Sequence, residues 1–138
     1  PTHFELVSLW YRPFEILFKN PNYNFSVDIW SLGCILFELI TYKILFYVKD
    51  MDEKQLIKKT LEYFSLKDSS KKFINSCVID SEIKETYYDN EIVPALNTNY
   101  GERFEKSKFK DICMKMLKID FYKRISIDEI VEEIKKMG

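Results

Sequence analysis

Residues 6–38 read LVSLWYRPFEILFKNPNYNFSVDIWSLGCILFE, and this stretch decides the fold. Its second half has the composition of a helix. Val27, Ile29, Trp30, Leu32, Ile35, Leu36, Phe37, Leu39 and Ile40 lie on every side of a helix expected to run from Ser26, a good N-cap residue, to about Tyr42. A helix apolar all round must be buried, so this one is expected to be the central post of the domain. The first half holds no such period. Residues 1–11 read as an ordered loop, and Pro13 opens a short helix over PFEILF, since a proline is tolerated in a first helical turn. Residues 19–25, with Asn20, Pro21, Asn22 and Asn24, form a turn-rich break.

The rest of the chain is helical in outline. Asp52 and Gln55 resemble a capping box ahead of Leu56, Ile57, Leu61 and Phe64. Residues 66–103 show no sustained period and read as an irregular insert with a short helix at most. Phe109, Ile112, Cys113, Met116 and Leu117 restore helical spacing. Ser126 and Glu129 make a second capping box, followed by Ile127, Ile130, Val131 and Ile134 at i, i+3, i+4 and i+7. No strand alternation and no internal repeat is evident. The expected fold is all-α: about five helices around one buried helix, with an ordered N-terminal loop.

Composition narrows the function classes. A chain of 138 residues is long enough for one compact domain and one core, and 46% hydrophobic residues argue against disorder throughout. A formal net charge of −1 gives no electrostatic reason to expect a nucleic-acid partner. Cys34, Cys77 and Cys113 are widely spaced and fit neither a disulfide framework nor a metal-binding pair. Cys34 and Cys113 fall in apolar helical stretches and read as buried free thiols, which points to a reducing, intracellular compartment. No apolar run is long enough to span a bilayer, so no membrane is expected. His3 is the only histidine, and no metal-binding constellation surrounds it. The chain opens on Pro1 rather than Met, which reads as a fragment or an internal boundary.

The order WYR (10–12), Pro13 and Glu15, DIWSLGCILFELIT (28–41), ILF (44–46) and KIDFYKRIS (118–126) resembles the C-terminal lobe of eukaryotic protein kinases, from the end of the activation segment onward. Within that family it looks most like the cyclin-dependent-kinase-like group. The resemblance implies that residues 1–138 are a partial kinase domain whose helical subdomain carries residues 66–103 as an insert. It implies transfer of the ATP γ-phosphoryl to Ser or Thr of a protein substrate, with preference for a following proline. ATP and Mg²⁺ would serve the intact kinase and be bound by none of these residues. The sequence has no Gly-rich loop, strand lysine, HRD-type loop or DFG, and therefore no catalytic residue of the family kind. A cyclin-like activator is the implied partner, acting through regions other than these.

The resemblance also assigns roles residue by residue. Glu15 ends the Ala-Pro-Glu element and would pair with Arg124, whose guanidinium can grip a carboxylate with two parallel bonds. Asp28 would hold the catalytic loop by accepting its backbone hydrogen bonds. Ser8 would supply the hydroxyl that bridges catalytic Asp and Lys. Val7 would take a strained backbone whose carbonyl Arg12 satisfies, leaving beside Trp10 a pocket for proline, which brings no N–H needing a partner. Thr2 lies near the activating phosphosite. The family's Ala-Pro-Glu is here Pro13-Phe14-Glu15, which puts the local loop geometry in question. That departure keeps a second reading open: a kinase-derived binding module, or pseudokinase, that catalyses nothing. An unrelated helical scaffold would require the motif order to be coincidence.

Overall fold

The computed structural model describes residues 9–47, 53–64, 69–78, 81 and 100–138. A 3-10 turn at Leu9–Tyr11 leads into α1 (Phe14–Leu17), α2 (Ser26–Thr41), α3 (Glu53–Tyr63), α4 (Lys71–Ser76), α5 (Glu102–Glu105) and α6 (Lys110–Met116). A second 3-10 turn, Phe121–Lys123, precedes α7 (Ile127–Met137). No strand occurs among the described residues, so the fold is all-α. Helices beyond the expected five are short; α1 and α5 have 4 residues each.

The two ends of α2 are set by local chemistry. Ser26 is its first helical residue rather than its N-cap: Phe25 precedes it, and Asn24 Oδ1 accepts the Ser26 N–H at 2.9 Å. The asparagine side chain reaches the backbone two residues on, so it does the capping work expected of the serine. At the other end Tyr42 turns into the left-handed region, φ 62°, and its N–H still bonds Glu38 O. The capping box of α7 forms as its sequence indicates, with Ser126 Oγ accepting from Glu129 N at 3.2 Å. Asp52 lies outside the described residues.

The expectation that α2 is covered on every side needs correction. Ile29, Trp30, Gly33, Cys34 and Phe37 are buried, whereas Leu32 and Ile35 are each 43% exposed and Leu39 is 69% exposed. Periodicity records how apolar a face is, not whether another element lies over it. The buried side meets α6 at Gly33, where a Cβ would sit 3.0 Å from both Leu117 and Met116. Cys113 Sγ donates to Gly33 O across the same contact at 3.4 Å.

The main core joins Phe14, Trp30, Phe37, Phe46, Leu56, Phe73, Phe104 and Leu117. Phe46 stacks flat on Trp30 at 5.6 Å between centroids. A second cluster of Ile29, Ile112, Met116, Ile125 and Ile130 ties α2 and α6 to α7. Phe73 of α4, within the sequence read as an irregular insert, is fully buried and meets Phe121 edge-on at 5.5 Å. Cys34 and Cys113 are free and buried, and Cys77 is free and half-buried. Burial pushes the Cys113 thiol up to about 12 and that of Cys77 to about 11, so both are neutral thiols at ordinary pH.

Candidate functional site

Glu15 reaches the interior because Pro13 starts α1 cleanly. Pro13 has φ −69° and ψ 155°, and its carbonyl accepts from Ile16 N and Leu17 N at 3.1 and 3.2 Å. Having no N–H costs nothing there, so the shifted proline is absorbed and Phe14 and Glu15 turn inward. Arg124 comes from the other end of the domain. It follows the 3-10 turn that Asp120 caps by accepting from Tyr122 N at 2.9 Å.

The pair closes as a fork. Arg124 Nη1 donates to Glu15 Oε2 at 2.5 Å and Nη2 to Oε1 at 2.6 Å. Arg124 Nε donates to Lys118 O at 2.7 Å, Nη1 also to Ser26 O at 3.0 Å, and Nη2 also to Ile119 O at 3.3 Å. A guanidinium has five N–H donors, and five acceptors surround this one. Both charged side chains are 0% exposed. The guanidinium carbon also lies 5.1 Å from the Trp30 ring centre, adding a cation–π contact. Burying two ions is tolerable only with such full satisfaction, and breaking the pair leaves an uncompensated charge.

The segment just before this lock is held by two helices. Ser31 Oγ donates to Tyr11 O at 2.7 Å, and Tyr11 OH donates to Glu38 Oε1. Ser31 and Glu38 are seven residues apart, so both lie on the same side of α2. The bond to Glu38, helped by burial, pushes the Tyr11 phenol up to about 12. From α3, Glu53 Oε1 accepts from Arg12 Nη1 at 2.8 Å. The Trp10 ring lies 5.3 Å from that of Tyr47.

Of the sequence-derived candidates, Glu15 and Arg124 meet directly, and Trp10 and Arg12 share the segment leading to Glu15. Asp28 is exposed in the first turn of α2 and shares a helical face with Leu32, Ile35 and Leu39. Thr2, Val7 and Ser8 lie outside the described residues. Sequence reasoning did not single out Ser31, Glu38, Glu53 or the buried Asp120. Among the described residues no group of three or more His, Cys, Asp or Glu side chains could hold a metal ion, and no helix is long and apolar enough to cross a membrane.

A probable cell division protein kinase of Encephalitozoon cuniculi is 31% identical over 112 residues, covering 81% of this chain and 40% of its own length. Mitogen-activated protein kinase 13 of Arabidopsis thaliana is 32% identical over 131 residues, 93% of this chain and 34% of its own. Cyclin-dependent kinase 2 of Caenorhabditis elegans is 56% identical over 45 residues, 33% of this chain and 12% of its own. The chain thus spans well under half of the length of these relatives. The protein kinase domain family matches residues 2–134, and it is to this family that the chain belongs, resembling its cyclin-dependent and mitogen-activated members.

Proposed function

We propose that these residues form the substrate-side lobe of a proline-directed Ser/Thr protein kinase of the cyclin-dependent-like type. In the reaction, the bond from the γ-phosphorus to the bridging oxygen of ATP breaks, a bond to the substrate hydroxyl oxygen forms, and the hydroxyl proton passes to a base. ATP, Mg²⁺ and that base belong to sequence other than these 138 residues, which contain none of the family's groups for them. The work assigned to this chain is to present a rigid surface to the protein substrate.

One observation carries this reading: the Trp10–Arg12 segment is tied to α2 through Ser31 and Glu38, to α3 through Glu53, and ends at the buried Glu15–Arg124 fork. Such over-determination suits a loop that must hold its shape against a substrate. Arg12 and Trp10 then border the pocket for the residue after the target hydroxyl, and the family resemblance assigns Val7 and Ser8 to the same substrate-positioning role and Thr2 to the activating phosphosite. The Asp28, Leu32, Ile35 and Leu39 face of α2 receives the catalytic-loop region in this reading, and a cyclin-like activator binds elsewhere on the whole protein.

The test uses the whole native polypeptide with Mg²⁺-ATP and paired peptides carrying Ser-Pro or Ser-Ala. The expected result is turnover with clear preference for Ser-Pro, weakened by Arg12→Ala. Absence of turnover on every peptide would leave the non-catalytic binding module as the better account.

A further inference from the structure

Arg12 has a feature that the sequence did not indicate: its guanidinium is held from outside its own segment, by a carboxylate 41 residues further on. The Arg12 side chain is 12% exposed, whereas that of Glu53 is 56% exposed. Glu53 is the first residue of α3, where a carboxylate is favoured by the helix dipole and where the helix backbone fixes its starting point. The contacts from α2 fix the backbone and ring of Tyr11. The Arg12 side chain is long and has many rotamers, and ordering it costs entropy. An ion pair to a helix-anchored carboxylate removes much of that freedom before substrate arrives.

We propose that Glu53 is a positioning residue for selectivity at the position after the phosphorylated hydroxyl, acting through Arg12. This rests on the function proposed above. Glu53 touches neither the reacting atoms nor the substrate. It sets where the Arg12 guanidinium stands, and so the shape and charge of the pocket that Arg12 borders. Paired with Glu53, Arg12 also offers less net positive charge to an incoming peptide, which favours an uncharged residue such as proline over an acidic one.

The experiment measures kcat and KM of the whole polypeptide for Ser-Pro and Ser-Ala peptides, in wild type, Glu53→Ala, Glu53→Gln, Glu53→Asp, Arg12→Ala and the Arg12→Ala/Glu53→Ala double variant. Glu53→Ala should lower the Ser-Pro to Ser-Ala ratio of kcat/KM about two- to fivefold, the range open to one partly exposed ion pair. The loss should sit in KM for the Ser-Pro peptide rather than in kcat. Glu53→Asp should recover part of it, and the double variant should lose no more than Arg12→Ala alone. Should Glu53→Ala fold poorly, Glu53→Gln keeps the shape without the charge and is read instead. A ratio unchanged by Glu53 substitutions but lowered by Arg12→Ala overturns the proposal while leaving the kinase reading intact. A wild-type protein active on both peptides without proline preference also overturns it. A wild-type protein inactive on every peptide removes the underlying function and this inference with it.

Discussion

Arg12 and Glu15 lie three residues apart, and each meets an opposite charge brought from far along the chain. The Glu15–Arg124 pair is 0% exposed on both sides, closes with two parallel bonds, and gives every remaining guanidinium N–H a backbone acceptor. In the Arg12–Glu53 pair, Arg12 Nη1 donates to Glu53 Oε1 at 2.8 Å, and Glu53 is more than half exposed. Water screens the second pair and barely reaches the first. The contrast separates two tasks along one short segment. The buried pair fixes where the segment ends. The partly exposed pair sets the direction of a single side chain at small energetic cost.

The contrast breaks most directly at Arg124. Arg124→Ala should lower the unfolding free energy by about 3–5 kcal/mol, because Glu15 would remain buried without its partner. That is a large share of the roughly 5–15 kcal/mol by which domains are stable at all. Chemical denaturation checks it, and a loss below about 0.5 kcal/mol, the range of an ordinary surface substitution, would remove the distinction between the pairs.

Those pairs were not equally legible in the sequence. Nothing local to Glu15 or Arg124 says that they meet across 109 residues; only the family motif order suggests it. The Ser126–Glu129 capping box was legible because its partners are three residues apart. The extent of α2 was legible from its apolar content, but the exposure of Leu39 was not, since covering is a property of neighbours. Ser31 and Glu38 were hidden as the polar minority of an apolar helix. Asp120 was hidden because two of its donors come from Ser70, 50 residues away, in a segment that looked irregular.

Asp120 occupies the middle ground and sharpens the comparison. It is a carboxylate only 2% exposed, held by Ser70 N at 2.8 Å, Ser70 Oγ at 2.7 Å and Tyr122 N at 2.9 Å. These are neutral donors in place of a guanidinium fork. Ser70 is also the N-cap of α4, accepting from Phe73 N at 3.2 Å, so one carboxylate orders both α4 and the turn that delivers Arg124. Asp120→Ala should cost about 1.5–3 kcal/mol, the range for hydrogen bonds to a charged group. A cost as large as that of Arg124→Ala would mean that the turn, rather than the fork, is the limiting element. A cost near zero would mean that Phe73 and Phe121 hold α4 in place without it.

The smallest effect is expected at the exposed pair. Arg12→Ala and Glu53→Ala should each change the unfolding free energy by no more than about 1 kcal/mol, and a double-mutant cycle should give a coupling of about 0.2–1 kcal/mol. The coupling should shrink as salt rises toward about 1 M, where the screening length falls to about 3 Å. The fork should show no such dependence, because ions do not reach it. The cycle is informative in either direction. A coupling well above 1 kcal/mol that survives salt would make Arg12–Glu53 a second structural lock, and the segment would then be rigid along its whole length. A small, salt-sensitive coupling with a measurable change in peptide selectivity would place the adjustable part of the site at Arg12. Selectivity would then be set by the weaker of the two pairs, because only the weaker one can be retuned without unfolding the domain.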